Sequence, residues 1–272
     1  MSYSKGLLGL DQVKSFNENG YCIIDDLISA DQRDSITKKI NLLASQVLTK
    51  NFNVTSECLN PYLELARINR ADAGKVFDAL IKIPEVNRVA YNQKLQIVAE
   101  QLLNSSLVLS PPLQMNIRSD HPLEENFLYP WHTDYAYNFS SKNSLIFWIP
   151  LLDVDELNGA LHLVPGSHKE KMMIEIDDAA VMKKKSSQYF KLNDKFLQDL
   201  IDIRGEVRCK LTFGKGLCFH SNLIHKSGSN LSKSTRLTIQ SRWFDASMND
   251  AIENNYIGGI DEGNDPFDYL LD

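Results

Sequence analysis

Residues 145–167 read Leu145-Ile146-Phe147-Trp148-Ile149-Pro150-Leu151-Leu152-Asp153-Val154-Asp155-Glu156-Leu157-Asn158-Gly159-Ala160-Leu161-His162-Leu163-Val164-Pro165-Gly166-Ser167. Two short apolar runs, 145–149 and 161–164, flank the turn material from Asp153 to Gly159, and Pro165-Gly166-Ser167 closes the second. Runs of this length, rich in β-branched and aromatic residues and bounded by Gly, Pro, Asn and Asp, read as strands joined by turns. The same texture begins at Ser106 and recurs at 107–109, 113–117, 207–212, 217–219 and 236–244. Many short strands without regular crossover helices predict a sandwich or barrel rather than a parallel sheet.

Towards the amino terminus the pattern turns helical. Asp11 to Asn19 predicts a short helix stopping at Gly20, and Tyr21-Cys22-Ile23-Ile24 a strand. Ser29 with Gln32 three positions on is a helix-start signal, and Ile36, Ile40, Leu43 and Val47 then share a face. Residues 61–104 suggest more helix, clearest from Val86 to Leu103 with Pro84 just ahead. The expected organisation is a single domain over 1–272. It has a helical amino-terminal part (1–105), a barrel (106–244) carrying a Lys-rich insert (169–200), and an acidic tail (245–272). Lys183-Lys184-Lys185 in the insert read as a solvated face in preference to an anion contact. The tail has eight acidic residues and no Lys or Arg. Its Tyr256, Ile260, Phe267, Tyr269, Leu270 and Leu271 could cover the barrel.

An apolar fraction of 43 % and an aromatic fraction of 9 % supply a substantial core. The formal net charge of -6 argues against a general nucleic-acid binder. Cys22, Cys58, Cys209 and Cys218 have neither zinc-site spacing nor secretory context and read as reduced thiols of a cytoplasmic protein. No signal peptide is evident, and no apolar run reaches bilayer length, so no membrane partner is expected. Oligomeric state has no sequence signature here.

The chemistry-bearing element is Trp131-His132-Thr133-Asp134-Tyr135. Residues two apart in an extended strand point the same way, so His132 and Asp134 can share one metal. His225 would complete a 2-His-1-carboxylate set, which leaves sites on Fe(II) open for O₂ and a chelating cosubstrate. His220 is the rival for this third position; the location of Arg236 just beyond a turn and a short strand favours His225. His121 precedes Pro122 and reads as a loop residue, while His162 and His168 flank the Pro165-Gly166-Ser167 turn, where His168 ties down the loop. In the strand 235–244 the alternation puts Arg236, Thr238, Gln240 and Arg242 on one side. Leu237, Ile239, Ser241 and Trp243 lie on the other. The polar row faces either water or the interior, where it would need partners or a ligand. Arg236 suits the far carboxylate of a dicarboxylic keto acid, with Thr238 adding a hydroxyl bond.

These elements together resemble the phytanoyl-CoA dioxygenase family of Fe(II)/2-oxoglutarate oxygenases, from about Val13 to Phe244. The resemblance rests on Phe16-Asn17-Glu18-Asn19-Gly20-Tyr21-Cys22-Ile23-Ile24, Trp131-His132-Thr133-Asp134, Trp148-Ile149-Pro150-Leu151-Leu152-Asp153 with Asn158-Gly159-Ala160-Leu161, and Val164-Pro165-Gly166-Ser167-His168. To these it adds His225-Lys226-Ser227-Gly228-Ser229-Asn230 with Arg236 eleven residues past His225.

The resemblance implies a mainly β double-stranded β-helix, a cupin-like jelly-roll barrel with a helical buttress. It implies iron on His132, Asp134 and His225, and the distal carboxylate of 2-oxoglutarate on Arg236. Ser227 and Gln114 follow as cosubstrate contacts. Lys226 stands where the family commonly has Gly. Asp134 favours hydroxylation over halogenation, since halogenating relatives lack the carboxylate ligand. The expected substrate is a polar or anionic small molecule, with Tyr135, Tyr137, Arg118, Gln240, Arg242 and Trp243 as pocket candidates. A cupin-like metalloenzyme that makes no use of 2-oxoglutarate and a non-catalytic binding protein are the competing readings.

Overall fold

A computed structural model describes residues 6–54, 58–111, 117–137, 141–176 and 190–256. The amino-terminal part carries α1 (Leu10–Asn19), α2 (Ala30–Phe52), α3 (Pro61–Ile68), α4 (Arg70–Leu80), α5 (Pro84–Ala90) and α6 (Gln93–Leu103). α1 ends at Gly20, whose φ of 81° is left-handed and unstrained only for glycine. Ser29 opens α2 through a reciprocal pair: its hydroxyl accepts from the Gln32 N–H at 3.2 Å, and Gln32 Oε1 accepts from the Ser29 N–H at 2.9 Å. On α2, Ile36, Ile40, Ala44 and Leu48 are buried, while Leu43 and Val47 pack at the margin of the same stripe.

The helix expected from Val86 to Leu103 is two helices. α5 stops at Ala90, and the Asn92 side chain accepts from the Leu95 N–H at 2.9 Å to start α6. An Asn side chain competes with the helical backbone for its own hydrogen bonds, so it favours a cap over continuation.

The strands are β1 (Tyr21–Ile24), β2 (Val108–Leu109), β3 (Ile117–Asp120), β4 (Ser144–Pro150), β5 (Leu161–Leu163), β6 (Ile174–Ile176), β7 (Phe190–Leu192), β8 (Val207–Cys209), β9 (Gly216–His220), β10 (His225–Lys226) and β11 (Arg236–Asp245). The larger sheet runs β1-β9-β4-β11-β2, with β3 also paired to β11, and the smaller runs β10-β5-β8. The pairings in both are antiparallel.

Strand alternation sorts the larger sheet into two buried faces. Leu145, Phe147, Ile149, Cys218, Leu237, Ile239 and Trp243 pack with the helices in one core. Ile146, Trp148, Leu217 and Phe219 point the other way and pack with Leu161, Leu163 and Cys209 of the smaller sheet. His225 and Arg236 adjoin this second core, against Phe219 and Trp148. The result is a mainly β protein of antiparallel sheets with helices against the larger one.

From the insert, β6 pairs with β7, and α7 (Asp194–Arg204) follows. Leu192, Phe196, Leu197, Leu200 and Ile201 pack there against Val164, Ile224 and Trp131. Lys183-Lys184-Lys185 lie outside the described residues, as does the tail beyond Tyr256. α8 (Asn249–Glu253) buries Ala251 against Phe244 and Ala246. Among the described residues no helix is long and apolar enough to cross a membrane.

Candidate metal centre

His132 and His225 meet because their backbones pair. The His132 N–H donates to the His225 carbonyl at 2.9 Å, and the His225 N–H returns to the His132 carbonyl at 3.0 Å. Directly opposed residues of such a pair project to one side, and the ring centroids lie 4.2 Å apart. Asp134 arrives differently from the strand geometry expected: it opens a 3-10 turn, Asp134–Tyr137, immediately after the bridge. The turn still brings its carboxylate to the two rings. Oδ1 lies 3.3 Å from His132 Nε2 and 3.7 Å from His225 Nε2.

The tautomers follow from the carbonyls behind the rings. His132 Nδ1 donates to the Pro130 carbonyl at 2.7 Å, and His225 Nδ1 donates to the Leu223 carbonyl at 2.9 Å. Each ring therefore turns Nε2 to the site, the arrangement that fixes an imidazole for metal binding. Burial, with His132 alongside, pushes His225 down to about 4, so it is neutral near pH 7. Burial alone would raise the Asp134 pKa. The Arg242 guanidinium beside it instead leads the interactions that hold this carboxyl well below the usual range. Ligand atoms from His132, Asp134 and His225 all lie within 4.8 Å of one another, and all three residues are buried. Two Nε2 atoms and a carboxylate oxygen crowding one point make a set of acceptors that a cation satisfies.

His220 does not join them. On β9, Phe219 faces the interior and touches the His225 ring at 4.7 Å, whereas His220 packs toward Phe16 and His168. Its Nδ1 accepts from the Asn222 N–H at 3.1 Å.

The polar row of β11 faces inward. Arg236 is 1 % exposed and Thr238 is fully buried. Arg236 Nη2 donates to Asp120 Oδ2 at 2.7 Å, while its Nε and Nη1 and the Thr238 hydroxyl are buried without a protein partner. Orphaned buried donors of this kind call for a ligand. Asp120 itself escaped the sequence reading. Its signal was an Asp two residues from Arg118 on a strand that pairs with Arg236.

The other pocket candidates divide. Arg242 Nε lies 3.5 Å from Asp134 Oδ2, and its Nη2 donates to Gln240 Oε1 at 3.1 Å. Arg118 is committed to Asp120 and to the Phe127 carbonyl. Trp243 belongs to the helix-side core, its indole N–H donating to Ser241 Oγ at 2.8 Å, and so faces away from the metal. Tyr135 is half-buried, and Ser227, also half-buried, gives its N–H to the Tyr129 carbonyl at 3.1 Å. Gln114 and the Tyr137 side chain lie outside the described residues. Lys226 has the opposite parity to His225 and places Nζ 4.6 Å over the Trp131 ring.

A sequence profile of the phytanoyl-CoA dioxygenase family matches residues 16–238. The chain belongs to that family. With it, the chain is placed among the Fe(II)/2-oxoglutarate-dependent oxygenases. Phytanoyl-CoA dioxygenase of Arabidopsis thaliana is 25 % identical over 259 residues, covering 85 % of this chain and 87 % of the relative. The fold is shared with EctD from S. alaskensis, crystallised with bound Fe: TM-score 0.60 and 19 % identity, over 91 % of this chain and 80 % of that one. The same enzyme with 2-oxoglutarate and 5-hydroxyectoine gives a TM-score of 0.58 at 18 % identity, over 91 % and 79 %.

Proposed function

We propose that this family member is a hydroxylase, acting on a C–H bond of a polar small molecule from one catalytic domain spanning 1–272. We read the two facing sheets as a double-stranded β-helix. The observation that carries the proposal is the convergence of three buried acceptors, on His132, Asp134 and His225, beside a guanidinium with unpaired donors. His132, Asp134 and His225 would hold Fe(II), and Arg236 with Thr238 would hold the distal carboxylate of 2-oxoglutarate. When bound, these groups with O₂ supply the oxidant: one oxygen atom enters the substrate, the other enters succinate, and CO₂ is released.

The chain's own residues bind and exclude. The Pro130 and Leu223 carbonyls hold both rings in the ligating tautomer before metal arrives. Phe219 covers the His225 ring and keeps water from that side. Ser227 and Gln114 remain proposed cosubstrate contacts. The arginines that suggested an anionic substrate are engaged inside the site, Arg118 with Asp120 and Arg242 with Asp134. Of the polar or anionic small molecule expected, this favours the polar one, which Gln240 and Tyr135 would meet. Cys22, Cys58, Cys209 and Cys218 are all unpaired, which supports a reducing, cytoplasmic location.

The test is an O₂-dependent succinate screen over polar metabolites, with mass spectrometry of each product. The expected result is succinate formed together with a product one oxygen atom heavier, and neither with His225→Ala. A product made without consumption of 2-oxoglutarate would contradict the proposal and favour the cupin-like reading.

A further inference from the structure

We infer that Arg118 sets the charge of the 2-oxoglutarate anchor without touching the cosubstrate, an inference that rests on the Fe(II)/2-oxoglutarate reading above. Arg236 already holds a carboxylate. Its Nη2 donates to Asp120 Oδ2 at 2.7 Å, and the two side chains are 1 % and 2 % exposed. By itself this pair is neutral. Delivering the carboxylate of a ligand to a neutral buried pair would leave one negative charge uncompensated, which is strongly unfavourable in a site shielded from water.

Arg118 supplies the missing charge. Its Nε donates to the other oxygen, Asp120 Oδ1, at 2.9 Å. Two guanidinium groups and one carboxylate leave a single positive charge, matched to one carboxylate of a ligand. The register explains why the group assembles: Arg236 lies opposite Asp120 and Thr238 opposite Arg118, so four side chains of one parity form a cross-strand patch. Arg118 Nη2 also lies 2.8 Å from Asp120 Oδ1 and donates to the Phe127 carbonyl at 2.7 Å, and the guanidinium lies 4.7 Å over the Tyr129 ring. Arg236 Nε, Arg236 Nη1 and Thr238 Oγ1 are the groups left for the ligand. Arg118 is thus a positioning residue, acting through Asp120.

The experiment is an anaerobic titration of the Fe(II)-loaded full chain with 2-oxoglutarate, read by the weak visible absorption of the chelate. It compares the wild type, Arg118→Gln, and Arg118→Gln combined with Asp120→Asn. The single variant is expected to bind at least tenfold more weakly. The double variant restores the single positive charge and is expected to return to within about threefold of the wild type, with Fe(II) affinity unchanged throughout. An unaffected single variant would overturn the inference. So would a double variant as weak as the single one, because a contact or folding role for Arg118 gives no rescue. A wild-type chain that binds iron but not 2-oxoglutarate would overturn the cosubstrate reading as well.

Discussion

Arg242 Nε stands 3.5 Å from Asp134 Oδ2, while the other oxygen of the same carboxylate faces the imidazoles of His132 and His225. The carboxylate is thereby held from both sides, one oxygen toward the metal position and the other toward a fixed cation. Partners of metal ligands typically contribute about 10- to 100-fold in affinity. Arg242→Met should therefore weaken Fe(II) or Co(II) binding by at least about tenfold, and Arg242→Lys by less. Metal titration checks this, and unchanged affinity in the Met variant would contradict it.

Neighbouring histidines on either side of one short turn should differ completely in metal binding. Phe219 points into the space between the sheets, so His220 points to the helices, and the chain reverses before His225. His225→Ala should lose stoichiometric metal, whereas His220→Asn should keep one ion per chain. Metal analysis after desalting reads both. Loss of metal from the His220 variant with its fold intact would show that the wrong ligand is assigned.

Gly159 controls the space behind Arg236. Its φ is +94°, and a Cβ there would lie 2.4 Å from Arg236 Nη1 and 2.6 Å from the Gly228 carbonyl oxygen. Gly159→Ala should cost about 1–3 kcal/mol of stability for the left-handed backbone alone. It should also weaken 2-oxoglutarate binding, because the guanidinium must move. Denaturant midpoints and a cosubstrate titration would measure the two effects; a variant unchanged in both would contradict the contact.

Acid sensitivity should begin well above the carboxylate range. Burial, reinforced by the charge of Arg70, pushes His121 down to about 4, and burial next to His168 does the same for His220. In the unfolded chain both titrate near 6.5. Between these values the unfolded state takes up protons that the folded state refuses, so stability is full above pH 6.5 and falls as pH drops toward 4. Each histidine adds a slope of up to about 1.4 kcal/mol per pH unit. Asp120 and Asp134, held low, lose their contributions only at lower pH, below the ordinary carboxylate range. Unfolding midpoints from pH 7.5 to 4.5 should therefore slope less steeply for His121→Gln than for the wild type. Identical slopes would contradict the assignment.

Much of this molecule is legible in its residues, for identifiable reasons. Gly20, Ser29 with Gln32, and Pro84 act locally, and a local signal survives whatever packs around it. Alternation along 236–245 separates two rows but cannot say which is buried when both are. Here helices cover Leu237 and Ile239, while Trp148, Gly159 and Asp120 enclose Arg236. The break at Asn92 was missed because apolar periodicity outweighed a capping residue, and the 3-10 turn at Asp134 because HxD spacing fits a strand equally well. Asp120 depends on a pairing between β3 and β11 over one hundred residues apart in sequence, which no local pattern encodes.

On the proposed reading, one metal and one guanidinium act together on a single organic acid. The decisive experiment is anaerobic addition of 2-oxoglutarate to the Fe(II)-loaded chain. A weak visible band should rise to saturation at one equivalent per iron, be absent in His225→Ala, and be lost in Arg236→Ala although iron stays bound. A band of undiminished affinity in Arg236→Ala, or no band in the iron-loaded wild type, would contradict the account.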